Sequence, residues 1–296
     1  MTPPGNRPAG DRPGPSSARS ARRAQVRRRQ RIGAAIVAAI VLVGVGAVLV
    51  LSGGDDHAAV KAAPPSTLGT TTSTTLVDHG PFDLVVGKGA PLKVYATPAT
   101  NAAVVASLPA KTDYGFPTTL LVNPDEPSRP PGWFPVTVPF HKPNNTPGWV
   151  QAGDVTTAKT TYAIRVSLSD HTLVLLNNGT PVMTTKVIIG TPETATPVGR
   201  FYLTDPLNCN KQSVAGYPVA QCGGTYGSFA IGTSGLSEKL DSFDGTIPQI
   251  ALHGTNLPDS SLGQDLSNGC VRMPNDAIIQ LAKITPLIGT PVTITA

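Results

Sequence analysis

The sequence predicts a mainly β protein with one helix near its C-terminal end and one apolar span near its N-terminal end. Three observations carry this. Short apolar or β-branched runs recur from about residue 80 onward, separated by Pro, Gly and Asn. Only the stretch after Pro274 spaces its apolar residues as a helix does, at Ala277, Ile278, Leu281, Ala282 and Ile284. Ile32 to Leu51 is a run of 20 residues without charge or proline.

The charge is unevenly placed. Residues 1–31 hold nine Arg and one acidic residue, Asp11, whereas the rest holds 14 Lys+Arg against 17 Asp+Glu. The formal +5 therefore describes a short arm. That arm is rich in Pro, Gly, Ser and Arg and is expected to be disordered. No downstream feature supports nucleic-acid binding, so the arm reads as a topology signal. As a helix, residues 32–51 would span about 30 Å, the thickness of a bilayer core. Positive charge stays in the cytoplasm, so the remaining chain is expected outside, held in the cell membrane by a single pass. The alternative is a cleaved signal peptide. Its apolar stretch is normally about 7–15 residues and ends in a small-residue cleavage site; here Ser52–Asp56 (SGGDD) follows a longer run. Residues 52–79, with APPSTLG and TTTSTT, read as a semi-extended polar linker.

From Gly80 to about Thr157 the runs VYATP (94–98), VVASLP (104–109), TTLLV (118–122), WFPVTVP (133–139) and GWVQA (148–152) read as strands. The segment is long enough for a small barrel but not for a large core. It offers no convincing catalytic group: His141 sits in a turn-rich stretch, and Trp133 and Trp149 suit sheet packing better than ligand stacking. LKVYATP near its start and GWVQAGDV near its end resemble a bacterial SH3-like domain, which implies a small β-barrel over residues 80–157 that binds or positions cell-wall material.

Residues 160–296 read as a second β domain. YAIRVSL (162–168) and TLVLLN (172–177) alternate, Asn178-Gly179 is a hairpin signal, and PVMTTKVIIG (181–190) follows it. GRFYLT (199–204), SFAI (228–231), QIALH (249–253) and PVTIT (291–295) are further strands. Pro274 suits the first helical turn and Asp276 its positive end. A sandwich-type sheet with one main helix results.

There are three cysteines. Outside the membrane a disulfide persists, and an odd count leaves one thiol over. Cys209 and Cys222 are either bridged or two buried thiols; in both cases Cys270 is the unpaired one. The chemistry concentrates in IALHGTNLPDSSLGQDLSNGCVRMP, residues 250–274. A thiol is a far better nucleophile as thiolate, and a nearby base makes it so. His253 is a fitting base because imidazole titrates near neutrality, and a following helix N-terminus would add a positive field. Gly269 would let backbone N–H groups close on a reacting carbonyl oxygen. Arg272 would hold a substrate carboxylate by its planar fork, or simply pair with Asp276. Zinc is a poor competitor, since His253 and Cys270 fall short of the three or four ligands needed.

HGTN…SNGCVRM resembles the signature of the L,D-transpeptidases, the YkuD-type catalytic domain. His253, Gly254, Ser267, Gly269, Cys270 and Arg272 match that pattern, and IIGTPETATPVGRFYLT (188–204) resembles its Thr-Pro-x-Gly-x-Phe region. Asn268 departs from it, standing where the common pattern has a second His; it still donates and accepts hydrogen bonds to orient loop or substrate. The resemblance implies a two-step acyl transfer on peptidoglycan stem peptides. The Cys270 thiolate attacks the carbonyl of the third residue, a thioester forms, and a neighbouring stem's amine resolves it. It further implies that the Gly254 carbonyl orients His253, that no metal or organic cofactor is required and that carbapenems acylate Cys270. Two alternatives share the site: an L,D-carboxypeptidase, with water as acceptor, and an inactive cell-wall-binding protein. A cysteine protease lacks a pattern of its own here.

Overall fold

In the N-terminal part, alternation decides which face each strand buries. Seven strands follow one another: β1 (Phe82–Gly87), β2 (Leu92–Tyr95), β3 (Val104–Leu108), β4 (Thr119–Leu121), β5 (Trp133–Thr137), β6 (Pro147–Gln151) and β7 (Val155–Thr160). In β2, Leu92 and Val94 are buried while Lys93 between them is exposed, the period of two that a one-sided strand requires. The strands form two small sheets, ordered β4-β1-β7 and β3-β2-β6-β5. Their inward residues, among them Leu84, Leu120 and Val150, share one apolar cluster with Ala163, Leu176 and Tyr202 of the following sheet. Trp133 packs edge-on to Tyr95, ring centroids 5.4 Å apart, so it is sheet packing.

This computed structural model describes residues 79–126, 128–210, 212–217, 219–220, 222 and 224–296. The basic arm, the apolar span 32–51 and the linker up to residue 78 lie outside the described residues. Among the described residues no helix is long and apolar enough to cross a membrane. The described residues all belong to one compact unit.

The C-terminal part is one large sheet with a small appendage. Its strands are β8 (Tyr162–Ser167), β9 (Thr172–Asn177), β10 (Thr180–Lys186), β11 (Ile189–Gly190), β12 (Gly199–Asn208), β13 (Phe229–Leu236), β14 (Gln249–Gly254), β15 (Asp265–Ser267), β16 (Val271–Met273) and β17 (Pro291–Thr295). Eight of them are ordered β10-β9-β8-β17-β12-β13-β14-β16, and β11 pairs with β15 alone. Asn178 and Gly179 join β9 to β10 with φ of 47° and 77°; both central residues of a type I′ turn need positive φ. β12 changes partner along its length, pairing with β17 over Gly199–Tyr202 and with β13 from Leu203 onward, with a bulge between Leu203 and Pro206.

The mainly β reading with one helix is borne out, and two elements differ in extent. The expected strand 181–190 is cut at Val187 and Ile188: β10 ends at Lys186, and Ile188 bridges to Arg272 instead. The single α-helix among the described residues, α1 (Asn275–Leu281), is shorter than the apolar spacing suggests, and Pro274 is its N-cap. Beyond it, Lys283 and Ile284 donate to the carbonyls of Gln280 and Leu281, three residues back, so the last turn tightens. Pro286 follows and disfavours a helical residue before it. Ala277, Ile278 and Leu281 of α1 join the core of the large sheet.

Candidate active site

Strand alternation brings His253 and Cys270 to one face. Leu252 on β14, and Val271 and Met273 on β16, all lie in the main core. Residues one step away point to the other face, so Ala251, His253, Cys270 and Arg272 share it. β14 and β16 run parallel, with Leu252 opposite Val271 and His253 opposite Arg272. The two strands are hydrogen-bonded neighbours, and Cys270 stands immediately before the first residue of β16. Its thiol points at the carbonyl of Gln249, with sulfur and oxygen 4.0 Å apart.

His253 is 2% exposed. Its Nδ1 lies 2.7 Å from the carbonyl oxygen of Gly254. A carbonyl only accepts, so the proton sits on Nδ1 and Nε2 keeps its lone pair. Tyr226 packs edge-on to the imidazole at 5.1 Å between centroids. Burial, then the charge of Arg272, depress the imidazole to about 4, while the Gly254 hydrogen bond acts the other way. The ring is neutral at pH 7.

Burial pushes the Cys270 thiol up, against opposing effects of a backbone hydrogen bond at Ala251 and the Arg272 charge. The resting pair is thus a neutral thiol and a neutral imidazole. The helix field contributes little, because β16 intervenes between Cys270 and α1 and a dipole acts mainly within the first turn.

A web of small polar groups fixes the turn before the cysteine. Ser267, 1% exposed, donates from Oγ to the Cys270 carbonyl at 2.6 Å and accepts from the Gly269 amide at 3.1 Å. Gly269 has φ +108°, in the region that favours glycine. Its amide donates to Ser267 Oγ, which holds the turn before the cysteine. The loop after β11 clasps the same turn. Thr196 donates to the Gly269 carbonyl at 2.9 Å, and Thr194 donates to the Ser267 carbonyl at 2.9 Å. Asn268 is exposed at the tip of this turn.

A second web fixes the end of β14. Asn275 accepts from the Ser228 amide at 2.8 Å and donates to the Thr255 carbonyl at 3.0 Å. A Cβ on Gly254 would stand 2.3 Å from Asn275 Oδ1, so only glycine leaves this web intact. Arg272 makes no ion pair with Asp276, and its buried Nε has no hydrogen-bond partner among the described residues. Cys209 and Cys222 are bridged, with Cα atoms 5.3 Å apart, and Cys270 is free. Tyr226, Thr194, Thr196 and Asn275 escape sequence reasoning. Their only signal is proximity: Tyr226 lies four residues after Cys222, and Asn275 opens the helix.

The model of the YkuD family, described as the L,D-transpeptidase catalytic domain, matches residues 161–294. The YkuD protein of Bacillus subtilis, whose name gives it provisionally as an L,D-transpeptidase, is 35% identical over 133 residues, 45% of this chain and 65% of its own length. Its Bacillus licheniformis namesake is 34% identical over 134 residues, 45% of this chain and 66% of its own. The chain therefore spans just under two thirds of either relative. An L,D-transpeptidase crystal structure from Mycobacterium tuberculosis H37Rv is 16% identical and covers 55% of this chain and 90% of that one, at a TM-score of 0.36. Over residues 161–294, which hold every residue of the site just described, the chain matches the L,D-transpeptidase catalytic domain of the YkuD type.

Proposed function

We propose that this protein is an L,D-transpeptidase that cross-links peptidoglycan stem peptides through a thioester on Cys270, with His253 as its base. The observation that carries the reading is the His253–Gly254 hydrogen bond. It leaves Nε2 unprotonated on the face shared with the thiol, so the ring is a base held in one tautomer.

The steps follow from the neutral pair. As Cys270 sulfur attacks the carbonyl carbon of the third stem residue, its proton passes to His253 Nε2. The imidazolium formed then protonates the departing amine of D-alanine as the C–N bond breaks, and a thioester remains. A side-chain amine of a second stem attacks the thioester carbonyl and gives a proton to His253. The C–S bond breaks, and the sulfur takes that proton back. Arg272, whose charge favours the unprotonated form of both groups, offsets the negative charge that builds on sulfur. Ser267 and Thr196 position the thiol by holding its turn. A carbapenem would acylate the same sulfur.

We further infer that residues 32–51 anchor the chain in the cell membrane with the arm inside. Residues 52–79 would then act as a spacer, and the N-terminal β region as an SH3-like module that positions the catalytic domain outside. Product masses from purified muropeptides test the function. Cross-linked dimers joined through third residues are expected. Tripeptides alone would make the protein a carboxypeptidase, and unchanged tetrapeptides would leave a wall-binding protein.

A further inference from the structure

One cavity is not used by the reaction above. Its volume is about 180 Å³, and it opens between the loop joining β3 to β4 and the strands β12 and β14. Gln249 lines it, and the carbonyl of that residue is the one facing Cys270 sulfur at 4.0 Å. Tyr114, which also lines the cavity, and Cys270 both act electrostatically on the buried phenol of Tyr226. Gln249 is thus common to the cavity wall and to the surroundings of the thiol.

The cavity's chemistry is specific. Asp205 lines it while only 4% exposed, and its Oδ1 has no hydrogen-bond partner among the described residues. It sits in the bulge of β12 between Leu203 and Pro206, a distortion that re-aims side chains. Thr112, on the facing loop, also lines the cavity, and its hydroxyl lies close enough to the Asp205 carboxyl to act on it. Asp113 stands beside it, exposed. Burial raises the Asp205 carboxyl, the neighbouring hydroxyls of Thr112 and Thr204 lower it, and Asp113 raises it further; no cation acts on it. A buried carboxylate without a counter-charge is costly, and an ammonium group, with three donors and a positive charge, fits the carboxylate, the neighbouring hydroxyl and a second acid.

We propose that this cavity is a subsite for an ammonium group carried by the peptide substrate, with Asp205 and Thr112 as the recognising side chains. The proposal rests on the transpeptidase reading for the identity of that peptide: the diamino acid of a stem supplies the amine. Asp205 touches the substrate here as a specificity residue and takes no part in bond making.

The test is calorimetric titration of the full chain carrying Cys270→Ala, which prevents turnover. The ligands are a lysine-containing tetrapeptide stem and the same stem acetylated on its side-chain amine. The free amine should bind about tenfold tighter, the scale of a charge-assisted hydrogen bond. Adding Asp205→Asn, nearly the same shape without the charge, should remove that preference, and Thr112→Val should reduce it. Equal affinities in the parent, or a preference that survives both substitutions, would overturn the proposal. Should Asp205→Asn not fold, Thr112→Val decides alone. Carbapenem acylation of the wild-type sulfur reports the proposed function separately. Its absence alongside an intact free-amine preference would sink the transfer reading and leave the cation subsite standing.

Discussion

The Nδ1–H of His253 donates to the carbonyl oxygen of Gly254, the residue next to it in sequence, over 2.7 Å. The ring's tautomer is thereby set by a group that cannot move independently of it. The Gly254 carbonyl is itself held where β14 ends, and Asn275 ties that end to Ser228 and Thr255.

Gly254→Ala should break this arrangement. The new Cβ would meet Asn275 Oδ1 at 2.3 Å and the Ser228 amide at 3.1 Å. Overpacking of this kind costs about 1–3 kcal/mol. Urea midpoints would show a stability loss on that scale, and acylation should slow because the imidazole loses its orientation. A variant as stable and as fast as wild type would mean that the β14 end has room the structure does not show.

Acid should destabilise the fold through His253. Its folded value, about 4, lies below the ordinary 6.5. The folded state therefore binds fewer protons, and the stability it contributes is present above pH 6.5 and lost as pH falls through about 4. The gap corresponds to about 3 kcal/mol. Urea melts at pH 7 and pH 4.5 should show a larger loss in wild type than in His253→Gln, which cannot titrate.

Cys270 should alkylate slowly at neutral pH. Burial raises its thiol above the ordinary range, and iodoacetamide reacts with thiolate. The alkylation rate should keep climbing past pH 9 while carbapenem acylation, which uses His253 as base, already proceeds at pH 7. Fast alkylation at pH 7 would instead indicate a preformed thiolate–imidazolium pair.

Ser267→Ala should impair the nucleophile without touching it. The hydroxyl bridges the Cys270 carbonyl and the Gly269 amide, and its loss strands a buried donor at about 1–3 kcal/mol. Thermal melts should register that loss, and acylation should fall more steeply than for substitution of exposed Asn268.

Much of the fold was legible because it rests on local rules. The Asn178-Gly179 turn and the alternation in β8 and β9 follow from φ preference and period. The helix was over-extended because Ala282 and Ile284 are buried at helical spacing, yet the tightened turn before Pro286 takes them out of α1. The break of the 181–190 run at Ile188 was invisible: its partner, Arg272, is 84 residues away. At the site, residue types near Cys270 were readable from their 25-residue window. The protonation state was not, because burial of the thiol and imidazole is a property of the packed sheet. Thr196 and Asn275 were missed for a related reason. They act through hydrogen bonds to main-chain atoms, which leave no mark on residue type.

The most direct test of the account is intact-mass spectrometry of the chain after incubation with a carbapenem, comparing wild type, Cys270→Ala and His253→Gln. The account predicts one adduct per chain in wild type, none in Cys270→Ala, and much slower adduct formation in His253→Gln. A folded wild type with Cys270 reduced and no adduct, or an adduct that persists in Cys270→Ala, would contradict it.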